Sequence, residues 1–350
     1  MMRNGERLTT LEREAADMAT QRTGQTGLQP DGSRAQSVYI GIDIGGTKIE
    51  GVIIDGVGTV LESRRDDSDH GDTAVAEQIV ALIAQLSAVA TRCGWALAGI
   101  GVGIPGTIDA QTGEVSNAVN LGIAGFNLRD RIAEEIPDTP IRIENDVNAA
   151  AFGAWTVLGR ECADDQGPMV LLNFGTGLAC GIVSGGHVYH GSTGIAGEIG
   201  HIPVEPHRYP CKCGQQGCLE TVASGSAVAR IWPTDAGYPL PELMRAAAHG
   251  DHHAHECLAT VIHGMSTAIM IIAMSVDPGT IVLGGGLAKT GQPLLDAITT
   301  DLRDRARSSS FVASLELPQR LMLAPMSQPI GAIGAAAVAI ARQHADSSAQ

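Results

Sequence analysis

The sequence predicts an α/β protein of two related lobes that face each other across a cleft, and three observations carry that prediction. Glycine supplies 44 of the 350 residues and aromatics only 3%, so the chain turns tightly and fills its interior with Ala, Val, Ile and Leu. Apolar strands alternate with helices of 3.6-residue periodicity. One unit, a strand that runs into a glycine corner and returns as a second strand, occurs twice, beginning near residues 38 and 169. A chain of this length exceeds one ordinary core, which agrees with two lobes.

Taken in order, residues 1–37 are polar and have no apolar run long enough for a secretory signal, so they read as a disordered tail. "VYIGIDIGG" (38–46) and "KIEGVIID" (48–55) form a hairpin around a glycine corner. Val75, Ile79, Leu82, Ile83 and Leu86 recur at helical spacing, which predicts an amphipathic helix over 73–93. Strands at 98–104 and 141–144 come next, the second running into a helix that starts at "NDVNAAAFGAW". "MVLLNFGTG" (169–177) and "ACGIVSGGHVYHG" (179–191) repeat the opening hairpin. Thereafter come a long helical stretch over 241–276, a strand "TIVLGGG" (280–286), a helix over 292–307 and a closing helix in "GAIGAAAVAIARQ". The lobes are expected at 38–146, joined by the last helix (330–345), and at 147–329.

Composition excludes several classes of partner. Against 38 Asp and Glu stand 23 Lys and Arg, a net charge of −15. Such a surface repels nucleic-acid phosphates and anionic lipid. The most apolar run, "TAIMIIAMSV" (267–276), falls short of the ~20 residues of a membrane span and reads as a buried helix. Without a secretory signal the expected compartment is the reducing cytoplasm, where clustered cysteines are metal ligands or catalytic thiols more often than disulfides.

"GVGIPG" (101–106) matches the dinucleotide fingerprint by letter, but Pro105 and a turn-like stretch stand where a helix is needed, so it is read as a loop. "DIGGTK" is a more informative corner. Asp43 offers an oxygen to hydrated Mg²⁺, Gly45 and Gly46 let backbone N–H groups converge on anionic oxygens, Thr47 adds a hydroxyl and Lys48 a cation. Gly175, Thr176 and Gly177 make a second such corner, and Gly284, Gly285 and Gly286 a third. Three corners from two lobes suit a nucleoside triphosphate. In "ENDVNAA" Asp146 stands past a strand end at a helix start, as an N-cap or as a carboxylate that accepts the proton of an attacking hydroxyl.

"CKCGQQGCLE" (211–220) sets Cys211, Cys213 and Cys218 within eight positions, with His201 ten residues upstream. Cys₃His is a structural zinc set, and a redox thiol pair is the rival reading. Cys93, Cys162, Cys180 and Cys257 are scattered and read as buried small hydrophobes, and "HGDHHAHE" (249–256) as a polar surface.

Standing in order, "DIGGTK", "GIPGTID", "ENDVNAA", "GTG", "GEIGH", "CKCGQQGCLE" and "VLGGG" resemble the ROK family of sugar kinases and sugar-responsive repressors, from about Val38 to Arg342. The resemblance implies a two-lobed actin-like ATPase (ribonuclease H-like) fold. It implies Asp146 as catalytic base, Asn145 and Asn120 as sugar ligands, and Glu198, His201 and Glu220 as partners of sugar hydroxyls, with His201 also on the zinc loop. Its commonest activity is that of a glucokinase, with ATP, Mg²⁺ and structural Zn²⁺, in a homodimer or homotetramer. An amino-sugar or cyclitol kinase is the alternative, because Ile-Ala-Gly-Phe replaces the family's usual Pro-Gly-Trp after Asn120, and Ala179 and Cys180 replace glycines. A repressor is the less favoured reading: 37 residues are too few for a DNA-reading domain, the charge is wrong, and Asp146 and "DIGGTK" are intact.

Overall fold

The computed structural model describes residues 35–109, 112–159, 167–204, 209–234 and 239–348. The expected tail lies outside them except for Ala35, Gln36 and Ser37, and Cys162 also falls outside. The unit that carries the sheets and helices begins at Ser37.

The chain opens with three antiparallel strands, β1 (Ser37–Ile44), β2 (Lys48–Asp55) and β3 (Val60–Asp67), and helix α1 (Asp72–Arg92) packs beneath them. Strand β4 (Ala96–Ile104) lies parallel to β1. The chain then makes a small sheet of β5 (Thr107–Ile108), β6 (Glu114–Ala118) and β7 (Ile123–Asn127), and helix α2 (Leu128–Glu135) leads to β8 (Ile141–Asn145). The first large sheet has the order β3-β2-β1-β4-β8. Ile40, Ile42, Ile44, Ile79, Ile83, Leu86, Ile100 and Ile104 are fully buried within it, the apolar spacing read from the sequence.

Helix α3 (Asp146–Leu158) carries the chain to β9 (Met169–Phe174), β10 (Leu178–Ser184) and β11 (His187–Val188). After the cysteine loop come α4 (Gly225–Ile231), α5 (Pro239–Ala248), α6 (His252–Ser275), β12 (Thr280–Gly284), α7 (Gln292–Ser308), β13 (Leu321–Leu323) and α8 (Ile330–Ser348). The second sheet, β11-β10-β9-β12-β13, repeats the plan of an antiparallel hairpin extended by parallel strands.

Four expectations are corrected. The helical stretch over 241–276 is two helices, because Gly250 adopts φ +87° and Asp251 caps α6 by accepting from the Ala254 N–H at 2.9 Å. The strand at 280–286 ends at Gly284, and Gly285 opens a helical turn. "GIPGTID" and the residues after it form the small sheet rather than turns alone. Cys93 is exposed, whereas Cys180 and Cys257 are buried as expected. By length and composition α1 and α6 could cross a membrane, but Val75, Ile79 and Leu86 of the one and Val261, Met265 and Ile269 of the other lie fully buried in the two cores.

Helix α8 joins the sheets. A methyl on Gly41 or Gly101 would meet its carbonyls at Ala332 or Ala335 at 1.9 and 1.8 Å, so α8 rests directly on β1 and β4. The same holds against α3, where a methyl on Gly153 would fall 1.8 Å from the Ile330 carbonyl and one on Gly334 1.7 Å from that of Ala149.

Candidate active site

The corners of the two hairpins border one cleft of about 1710 Å³. Single small-molecule pockets run to roughly 300–1,000 Å³, so there is room for two ligands. Asp43, Gly45, Gly46, Thr47 and Lys48 line it from the first sheet, and Gly175, Thr176 and Gly177 from the second. Asn120, Asn145, Asp146, Glu198, His201, Glu220, Gly285 and Gly286 line it too. Gly284 is buried behind, and Cys211, Cys213 and Cys218 stand off the cleft wall.

The local sequence around Asp146 left open a cap or a base. Asn145 is the cap: its Oδ1 accepts from the Val147 N–H at 3.0 Å and the Asn148 N–H at 3.3 Å, and its Nδ2 donates to the Gly106 carbonyl at 3.3 Å. Asp146 is thereby freed of capping and held in the first turn of α3, at the floor of the cleft. Burial pushes its carboxyl up to about 6, against hydrogen bonds from backbone N–H groups and with a smaller push from Glu198. Asp43 is pushed further, to about 8, by burial first and then by Asp146 and Glu50, with Arg65 opposing. Its carboxylate has no hydrogen-bond partner among the described residues, and Gly331 packs against it so closely that a methyl there would fall 2.2 Å from Oδ2. Lys48 turns away to Asp67 on β3, in an exposed ion pair.

The sugar-ligand candidates gather around His201. Its Nε2 is 3.9 Å from Glu198 Oε2 and its Nδ1 3.8 Å from Glu220 Oε1. Burial raises the Glu198 carboxyl, partly offset by His201. A methyl on Gly177 would fall 3.0 Å from Glu220 Oε2, so the second corner and this carboxylate are in direct contact.

His201 Nδ1 also lies 3.7 Å from Cys211 Sγ, and Cys213 Sγ lies 3.6 Å from Cys218 Sγ. All four ligand atoms fall within 4.8 Å of one another. Metal–ligand bonds of about 2.0–2.3 Å give a tetrahedron with edges of about 3.3–3.8 Å, so the set fits zinc. Tight turns at Gly214 (φ +93°) and Gly217 (φ +72°) fold the loop back on itself. Behind it Arg230 of α4 donates to the Thr221 carbonyl and lies 3.9 Å over the Tyr209 ring.

Three cleft residues escaped the sequence reading. Arg65 belongs to β3, which is too polar to show as a strand. Glu144 and His190 are joined by a hydrogen bond of 2.9 Å across 46 residues, and only the charge of Glu144 within "ENDVNAA" hinted at it.

Comparison with known proteins agrees with this geometry. The model of the ROK family matches residues 39–342. A glucokinase of Halalkalibacterium halodurans is 33% identical over 74% of this chain and 83% of its own. An N-acetylmannosamine kinase of Escherichia coli O157:H7 is 32% identical over 71% and 84%. The solved ROK family glucokinase of Streptomyces griseus, in complex with glucose and AMPPNP, superposes with a TM-score of 0.69 at 27% identity, covering 87% of this chain and 99% of that one. The fold is the actin-like ATPase fold that the motifs implied.

Proposed function

Since the chain belongs to the ROK family, we propose that it is an ATP-dependent sugar kinase that transfers the γ-phosphoryl group to the 6-hydroxyl of a hexose, with glucose as the leading substrate. The observation that carries this reading is Asp146, a carboxylate tuned to about 6 at the floor of a cleft between two glycine corners. The lobes are residues 38–146 with 330–345, and 147–329.

In this reading Glu198, His201, Glu220 and Asn120 hold the sugar hydroxyls. Asn145 serves mainly to cap α3, so Asp146 meets the 6-hydroxyl at a fixed angle. Asp146 accepts the hydroxyl proton as the oxygen attacks the γ-phosphorus in line, and a carboxyl tuned near 6 is ionised at neutral pH yet basic enough for the task. Gly45 closes the first corner, its N–H donating to the Lys48 carbonyl at 2.9 Å, and backbone N–H groups at Gly46, Thr47, Gly175, Thr176 and Gly177 receive the ATP phosphates, while Gly285 and Gly286 leave a flat wall for the nucleoside. Asp43, half-buried on the cleft wall beside Asp146 and Glu50, suits Mg²⁺, which when bound would neutralise phosphate charge. His201, Cys211, Cys213 and Cys218 would hold a zinc ion that braces the loop of Glu220 and leaves no coordination position open for substrate. Free thiols at the described cysteines suit a reducing, cytoplasmic setting.

The test is a coupled ATP-consumption assay of the purified protein with glucose, mannose, N-acetylglucosamine, N-acetylmannosamine, kanosamine and a cyclitol. Glucose should be the best acceptor, and turnover of none of them would end the sugar-kinase reading. Asp146→Asn should lower kcat by about 10² to 10⁴ with sugar affinity and thermal midpoint kept, because the cap belongs to Asn145. A kcat within a few-fold of wild type would remove Asp146 as base. Metal analysis should find about one zinc per chain, lost in Cys213→Ser together with stability.

A further inference from the structure

The hydrogen bond between Glu144 and His190 lies beside the proposed machinery and has no role in it so far. Glu144 is the residue before Asn145 and Asp146 in β8, and its side chain is 10% exposed. Each of its oxygens is engaged. Oε1 accepts from the Asn145 N–H at 3.0 Å and from Asn148 Nδ2 at 3.1 Å, while Oε2 meets His190 Nε2 at 2.9 Å. One carboxylate therefore grips the start of α3 with one oxygen and a distant segment with the other.

That segment leads to Glu198. Between His190 and Glu198 the chain passes three glycines at positive φ, Gly191, Gly194 and Gly197, and residues 191–195 are all exposed. Its internal bonds are sparse: the Ala196 N–H to the His190 carbonyl at 3.3 Å and the Glu198 N–H to the Ile195 carbonyl at 3.3 Å. At its far end the Cys180 N–H donates to the Gly197 carbonyl at 2.8 Å. A loop so rich in left-handed glycines has many conformations to lose on ordering. The His190 side chain ties its near end to Glu144 of β8, the strand that ends directly before Asp146.

We propose that His190 is a positioning residue for the phosphoryl transfer: through Glu144 it sets the loop of Glu198 at a fixed distance from Asp146, so that the sugar is held before ATP arrives. It acts through Glu198 and not on the reacting atoms. The proposal rests on the sugar-kinase reading for its ligand but not for its geometry.

The experiment compares wild type, His190→Ala and His190→Gln in the full chain. Gln retains an N–H donor at nearly the reach of Nε2 and is the rescue. His190→Ala should weaken glucose binding measured without ATP, and raise the glucose KM, by about tenfold, since a hydrogen bond to a charged group is lost. The ATP KM should stay within about twofold on the same scale. Hydrogen exchange of backbone amides in 191–199 should quicken in the Ala variant and return toward wild type with Gln. Glucose affinity unchanged in His190→Ala, an equal loss for glucose and ATP, or a Gln variant no better than Ala would each overturn the proposal. If the wild type turns over no sugar, the functional reading fails on its own account, and the exchange comparison alone decides: unchanged exchange in 191–199 overturns the brace, and quickened exchange rescued by Gln upholds it.

Discussion

The two hairpin corners are the same backbone device with opposite electrostatics. Each turns in three residues, 45–47 between β1 and β2 and 175–177 between β9 and β10. Aligned position by position, "DIGGTK" becomes "NFGTGL", so Asp43 answers to Asn173 and Lys48 to Leu178. Across the hairpins Asp43 faces Glu50, whereas Asn173 faces Ala179. The charged corner is also the electrostatically strained one, with Asp43 driven up to about 8 by burial and acidic neighbours. The neutral corner is pinned from behind, since the Gly175 and Thr176 carbonyls accept from the Gly225 and Ser226 N–H groups at 2.7 and 3.2 Å. In the proposed reading matching backbones thus divide the handling of one triphosphate: the first corner brings a carboxylate that a cation would balance, and the second offers neutral donors.

Erasing the asymmetry should have the largest effect. Asp43→Asn makes the first corner resemble the second, and kcat should fall by about 10² to 10³, read by steady-state kinetics at saturating Mg²⁺. The same change should stabilise the metal-free protein. A carboxyl raised above its ordinary value keeps its proton longer in the folded state, so the stability it brings is full below about pH 4 and is lost as pH rises through about 8. Asp43→Asn should therefore gain about 1–2 kcal/mol at pH 8, allowing for partial solvent screening, and nothing near pH 4. Urea midpoints at the two pH values check this, and a variant less stable at pH 8 would contradict it.

Next in size is the acid limb of the rate. As Asp146 protonates below about 6, kcat/KM for the sugar should fall about tenfold per pH unit, and a flat profile down to pH 5 would remove the raised carboxyl from the chemistry. Charging the neutral corner sharpens the contrast from the other side: Asn173→Asp should raise the ATP KM by about five- to tenfold through repulsion of phosphate, with the sugar KM little changed. Lys48→Met should matter least, about threefold or less in ATP KM, because Lys48 is engaged with Asp67 on the exposed edge. A loss as large as that of Asp43→Asn would mean that Lys48 leaves Asp67 for the phosphates.

The hairpins, α1 and the cysteine loop were legible because each is a local pattern: apolar alternation, helical spacing, ligand spacing. The break at Gly250 was missed, although a glycine followed by a capping Asp marks it, because the apolar residues on either side read as one helix. Strand β3 was hidden because most of its residues are charged and none is buried, and it pairs along the edge that β2 offers. At the site, periodicity found the glycine corners but not the partners of His201. Glu198 and Glu220 were named by resemblance alone, since their approach to one ring depends on how two loops fold together. Asn145 shows the limit of local reading. Either residue of the Asn-Asp pair could cap a helix, and only the backbone direction at β8 decides that Asn145 does so and leaves Asp146 to the cleft.

The glycine contacts of α8 have a mechanical consequence. Where α8 crosses α3, at Gly153 and Gly334, backbone lies on backbone. Such a joint is stiff in compression, because the backbones cannot approach further. Helix α3 is seated on the second sheet and α8 on the first, so the joint helps set the distance between the charged corner and the neutral one. A single methyl at Gly153 would act as a wedge at the pivot, and the span from pivot to corners would amplify its thickness into a gap across the whole cleft.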